Sequence, residues 1–223
     1  MVELQLLGTV ELRTDGRIIK LGSQKTRCLL AILAINVGRP VALPRLAELL
    51  WDEEPPEKAG ASIHSHVSHL RSALRRATDD SPTVLINNHA HTYTLETDPG
   101  LIDWHRYLRL TNRARQLTEH GDDAEALSLL TQAESLWRGD PLAGLAGEWA
   151  HAERVRMDAK RLAATVTRST VELRLGRFID LVPELSTLVA RHPTDQTMVG
   201  HLMIALYGSG RQDEALNLSL IHI

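Results

Sequence analysis

Lys58-Ala-Gly-Ala-Ser-Ile-His-Ser-His-Val-Ser-His-Leu-Arg-Ser-Ala-Leu-Arg-Arg76 has the pattern of a two-sided helix. Ile63, Val67, Leu70 and Leu74 fall at helical spacing and make one apolar stripe, the side a helix turns to a core. The other side carries Lys58, Ser62, Ser65, Ser68, His69, Ser72 and Arg76, with Arg71 and Arg75 on a flank. The stretch holds four cations and no acid, although the chain as a whole carries a net charge of −3. Two readings fit this face. One is a solvated surface, which any amphipathic helix has. The other is contact with DNA: small hydroxyls let a helix backbone approach a groove, and hydroxyls and cations bond phosphates and base edges. Serine is a mediocre helix former, so helix stability does not account for four serines on one face.

Upstream, Val2–Leu12 reads as a strand interrupted at Gly8, and Asp15-Gly16 as a hairpin turn returning through Arg17–Leu21. Ser23 is placed to cap a helix running to about Val37, whose segment Cys28–Ile35 is apolar nearly all round and so belongs in a core. A second helix is predicted over Leu43–Trp51, with Pro44 in its first turn. The basic-faced helix follows over Glu57–Ala77. Thr83–Ile86 and Thr92–Glu96 then read as two short strands joined by Asn87-Asn-His-Ala-His91. Three helices followed by a hairpin, the third helix basic on its outer side, is the winged-helix order, with the hairpin as wing.

The texture changes near Asp98-Pro99-Gly100, and everything after it reads as helix. Leu173-Arg-Leu-Gly-Arg-Phe178 and Leu206-Tyr-Gly-Ser-Gly-Arg211 place Gly-Arg pairs 34 residues apart, and Gly121-Asp-Asp-Ala-Glu-Ala-Leu127 repeats Gly210-Arg-Gln-Asp-Glu-Ala-Leu216. A 34-residue period with glycine at the interhelical turn is the tetratricopeptide spacing. The earlier interval, Gly121 to Gly176, is longer and fits an extended helix over about Gly147–Leu175. A non-repetitive helical bundle is the alternative. The fold class expected is an α+β winged helix followed by an all-α tetratricopeptide-like region, mainly α overall.

A single cysteine excludes a disulfide framework and fits a reducing compartment. The longest apolar run is too short to span a bilayer, and the first residues lack a signal-peptide pattern, so a cytoplasmic protein without membrane partners is expected. No phosphate loop, zinc-protease or nucleophile-elbow motif occurs. His64, His66 and His69 do not converge on one side of a helix, so no metal or other cofactor is expected, and nothing argues for an enzyme.

His66-Val-Ser-His-Leu-Arg71 with Ser72-Ala-Leu74 resembles the recognition helix of OmpR/PhoB-type winged helices, and Leu46-Ala-Glu-Leu-Leu-Trp51 with Pro55-Pro56 the helix and loop before it. Leu4-Gln-Leu-Leu-Gly8, Gln24-Lys-Thr-Arg-Cys-Leu-Leu-Ala31, Leu136-Trp-Arg-Gly-Asp-Pro-Leu142 and Leu202-Met-Ile-Ala-Leu-Tyr-Gly-Ser-Gly-Arg211 extend the resemblance to the SARP/AfsR regulators of actinobacteria. It implies a winged helix over residues 1–98 and a bacterial transcriptional activation domain over 99–217. It also implies a transcriptional activator of secondary-metabolite (antibiotic) genes that binds double-stranded promoter DNA at direct repeats as a head-to-tail pair and engages RNA polymerase holoenzyme. By position in the matching motif, Ser65 and His69 would face bases. His66, Ser68 and Arg71 would lie near phosphates, with Lys58, Ser62, Ser72, Arg75 and Arg76 along the same helix. Asn88, His89 and His91 would form the wing tip, and Lys25, Arg27 and Arg45 would add backbone contacts near helix starts. The sequence departs from the family's pattern in three places. His69 stands where arginine is usual, Thr92 where a glycine precedes the wing tyrosine, and Ala42 where serine or threonine opens the second helix. Leu218-Ser-Leu-Ile-His-Ile223 resembles translated library-adaptor sequence, and residues 218–223 are therefore expected to be a non-native tail. A protein-interaction module and the N-terminal fragment of a larger signalling ATPase regulator are the alternative readings.

Overall fold

The structure, a computed structural model, describes residues 2–52, 54–78 and 84–221. The chain divides into two compact units, one formed by 1–109 with 135–158 and the other by 110–134 with 159–223.

The first unit opens on a three-stranded antiparallel meander: β1 (Val2–Gln5), β2 (Glu11–Thr14) and β3 (Arg17–Ile19). The segment read as one interrupted strand is thus a hairpin, with Leu4 opposite Leu12. Three helices follow: α1 (Gln24–Ile35), α2 (Leu43–Trp51) and α3 (Ala59–Thr78). Ser23 caps α1 by accepting the Thr26 N–H, and the apolar run over Cys28–Ala34 is buried as its periodicity-free hydrophobicity requires. Burial pushes the Cys28 thiol up to about 12, so it is inert packing.

A second sheet in the order β4-β6-β5 is built from β4 (Val41–Ala42), β5 (Leu85–His89) and β6 (Thr92–Glu96). Two details differ from the sequence reading. Asn87, Asn88 and His89 are strand residues paired with β6, so the turn is only Ala90-His91, both at positive φ (46° and 61°). That is the backbone a two-residue hairpin demands, here without glycine. The two-residue strand β4, too short to announce itself by alternation, ties the wing to the start of α2. Thr83 lies outside the described residues.

Past residue 98 the first unit continues. A 3-10 turn over Pro99–Leu101 leads into α4 (Asp103–His120). Asp103 is buried and accepts the N–H groups of Leu6 (2.8 Å) and Leu7 (3.1 Å), and Arg138 pairs with it at 2.8 Å. The N–H groups of Arg138, Leu142 and Ala143 bond the carbonyls of Leu7, Leu6 and Gly8. Trp104 stacks on Tyr107, and Trp137 meets Tyr107 edge-on. The backbone just after β1 is therefore completed by Asp103 and by residues of the 138–143 segment, roughly 100 to 135 positions away in sequence.

The second unit is helical: the later part of α4, α5 (Asp123–Glu134), the later part of α6 (Glu148–Arg174), α7 (Phe178–Arg191), α8 (Gln196–Gly208) and α9 (Gln212–Ile221). Ala114, Leu117, Ala126, Leu127, Leu130 and Val171 form one core, and Leu181, Val182, Leu185, Leu202 and Leu206 lie in another. Gly176 and Gly210 sit at φ +72° and +81° in the tight interhelical turns, a conformation L side chains adopt at a cost. Residues 218–221 continue α9.

Candidate nucleic-acid interface

Helix α3 buries Ile63, Val67, Leu70, Ala73, Leu74 and Ala77 and leaves Ser65, Ser68, His69, Arg75 and Arg76 exposed. Ser65, Ser68, His69, Ser72 and Arg76 recur at three- and four-residue steps, so they line one outer stripe, with half-buried Ser62 beside it. Lys58 is exposed immediately before the helix. Asn88, His89 and His91 are exposed at the end of the wing. The local chain thus supplies a helix whose outer face combines hydroxyls, an imidazole and cations, flanked by a polar hairpin.

The remaining candidate residues have other surroundings within the first unit. Arg71 is half-buried, and its Nε–H and Nη2–H both donate to the Ile86 carbonyl of β5, at 3.0 and 2.8 Å. A phosphate contact is expected of it from the family pattern; in the structure its guanidinium ties α3 to the wing. Lys25 donates to the Leu50 carbonyl and lies over the Trp51 ring, so α1 and the end of α2 hold it. Arg45 pairs with Glu48 on the exposed side of α2, at 2.8 Å. Arg27 is half-buried, with its Nε buried and lacking a hydrogen-bond partner among the described residues. His66 is half-buried, its Nδ1 2.9 Å from the Thr26 hydroxyl. Burial, then His69 and Lys25, lowers its pKa, which favours a neutral ring. Among the described residues no group of three or more His, Cys, Asp or Glu side chains is placed to hold a metal ion, and no helix is long and apolar enough to cross a membrane.

Three supporting residues were not legible in the sequence: Thr26 beneath His66, Ile86 beneath Arg71, and Tyr93, whose hydroxyl bonds His64 Nδ1. Each acts across 15 to 40 residues of chain, so no local spacing signals it. The Arg71 tie has a measurable consequence. Arg71→Ala is expected to lower stability by about 1.5–3 kcal/mol, the range for hydrogen bonds to a charged group. It is expected to weaken DNA binding while leaving the dependence of affinity on salt unchanged. A slope reduced by about 1 would instead return Arg71 to the phosphates.

Comparisons with known proteins cover nearly the whole chain. The family described as "Bacterial transcriptional activator domain" matches residues 102–218, and that described as "Transcriptional regulatory protein, C terminal" matches residues 16–95. Regulatory protein AfsR of Streptomyces coelicolor is 36% identical over 95% of this chain, which spans only 21% of that protein's length. Regulatory protein DnrI of Streptomyces peucetius is 31% identical over 96% of this chain and 81% of its own length. Among solved structures, Mycobacterium tuberculosis EmbR in complex with a low-affinity phosphopeptide superposes with a TM-score of 0.91 at 31% identity, covering 97% of this chain and 57% of that one.

Proposed function

The chain belongs to the SARP-type family of transcriptional regulators, which join an OmpR/PhoB-like winged helix to a bacterial transcriptional activator domain, and from that premise we propose that it activates transcription by binding promoter DNA through α3 and the wing. The observation that carries this is the outer face of α3. Its exposed side presents Ser65, Ser68 and His69 between cations at both ends, with the apolar side wholly buried. Such a face suits a major groove: Lys58, Arg75 and Arg76 meet phosphates, and Ser65 and His69 meet base edges. Asn88, His89 and His91 reach the neighbouring backbone. Two copies arranged head to tail on direct repeats would double the phosphate contacts, and the helical half would engage RNA polymerase holoenzyme. Membership of the SARP-type family, with the similarity to DnrI, supports secondary-metabolite genes as targets.

Binding-site selection on randomised duplexes tests the reading. The wild-type chain is expected to enrich a motif repeated in direct orientation. His69→Ala is expected to relax preference at one base step by about 1–3 kcal/mol, and His69→Arg to shift that step toward guanine, which arginine contacts bidentately. Enrichment of no motif by the wild type, or identical preferences in all three proteins, counts against readout by this face.

A further inference from the structure

Beneath the DNA-facing helix Ser23 and Thr26 form a short polar chain to His66, a link to the ring that the family match does not assign. Ser23, the cap of α1, accepts the Thr26 N–H through its Oγ, and the two hydroxyls lie 3.0 Å apart. The Thr26 hydroxyl, on a residue only 1% exposed, lies 2.9 Å from His66 Nδ1 on α3. One hydroxyl is thus enclosed between another hydroxyl and an imidazole nitrogen. An imidazole nitrogen is a far stronger hydrogen-bond acceptor than an alcohol oxygen, so the Thr26 hydroxyl donates to Nδ1. The Ser23 oxygen is already polarised by a helix amide and by the positive end of α1. Its own proton is directed to Thr26, and each donation strengthens the next. The ring then keeps its single N–H at Nε2, on the opposite edge from Thr26. The charged and titratable neighbours act the same way: Lys25 from α1 and His69 one turn along α3 both oppose a second proton on this ring.

We propose that His66 meets DNA as a fixed N–H donor to a phosphate oxygen, its tautomer set by Thr26 and Ser23 acting as positioning residues. The inference rests on the DNA-binding reading above. A donor locked this way loses no tautomer freedom on binding and offers nothing to a donor group, so it suits the acceptor-only surface of a phosphate. It also gives the α1 cap a second task beyond helix termination.

The experiment has two arms on the full chain. Nitrogen-15 NMR of the free protein reads the ring directly, with His66→Gln used to assign its signals, and Nε2-protonated His66 is expected near neutral pH. A ring protonated chiefly at Nδ1 overturns the proposal whatever the variants do. In the second arm, a pool of random-sequence duplexes is titrated with wild type, Thr26→Val and Thr26→Ser. Thr26→Val preserves shape but removes the donor, and is expected to weaken binding about fivefold across all sequences. Thr26→Ser is expected to restore it. Unchanged affinity in a folded Thr26→Val overturns the proposal while leaving the DNA-binding reading intact. A changed base preference in that variant overturns the phosphate assignment. Failure of the wild-type chain to bind any duplex removes the DNA-binding reading and the proposal with it.

Discussion

Asp103→Ala is expected to lower the stability of the first unit by about 2–6 kcal/mol, because two buried backbone donors lose their acceptor. The carboxylate is 2% exposed and closes the N–H groups of Leu6 and Leu7, with Arg138 as counter-ion. Without it, two buried donors lose their acceptor, each at a cost of about 1–3 kcal/mol, while the partly exposed Arg138 regains water. Asp103→Asn keeps one acceptor and is expected to lose about half as much. Burial raises the Asp103 pKa against the opposing pull of the Leu6 and Leu7 amides and Arg138. A carboxyl raised in the folded state holds its proton more tightly there than in the unfolded chain. Its contribution is therefore largest below the ordinary value of 3.8 and declines as pH rises through the raised value. The advantage of wild type over Asp103→Ala is accordingly expected to be greater near pH 4 than near pH 7. All four tryptophans, Trp51, Trp104, Trp137 and Trp149, belong to the first unit, so urea unfolding followed by fluorescence reads this unit directly. Equal unfolding midpoints for wild type and Asp103→Ala would show that the clamp is dispensable.

The triple variant Lys58→Ala, Arg75→Ala, Arg76→Ala is expected to reduce affinity for any duplex by about a hundredfold at physiological salt. The slope of log affinity against log salt should flatten by about 0.9 for each lost phosphate contact, near 3 in total. These three cations are exposed at the two ends of α3, so their removal leaves the buried stripe intact. Stability is expected to change by no more than about 0.5 kcal/mol, as for ordinary surface substitutions. A flattened slope with unchanged base preference separates backbone positioning from readout; an unchanged slope moves the cations off the phosphates.

The contrast between these residues and Arg71 shows where sequence reading stops. The helical stripe of α3, the Ser23 cap, the bounds of α2 and the glycine turns of the second unit follow from spacing a few residues wide, and the structure has them. Periodicity also separates the outer face of α3 from its core face. It does not tell a cation that stays exposed from one drawn back onto the carbonyl of a neighbouring strand. Arg71 and Arg75 look alike in the sequence, yet only Arg71 is fastened to Ile86. Likewise the bonds of Asp103 to Leu6 and Leu7 arise from a fold that brings positions 97 and 96 residues apart into contact, so no local spacing announces them. The strand β4 is two residues long, below the length at which alternation has meaning. Asparagine is a turn former, so the sequence suggests a five-residue wing turn over 87–91, whereas pairing with β6 draws Asn87 and Asn88 into the ladder.

Cleavage of DNA from a probe on the outer face of α3 reports whether that face enters the major groove. Ser65→Cys provides an exposed attachment point for a hydroxyl-radical-generating chelate, while the chain's only other cysteine, Cys28, is buried with its thiol pushed up to about 12 and stays unlabelled. Ile179→Cys on α7, also exposed, serves as the comparator. Cleavage from position 65, confined to a few base pairs and offset between strands as expected for a major-groove source, is the predicted result. Binding without cleavage from position 65, or cleavage from position 179 alone, would contradict it.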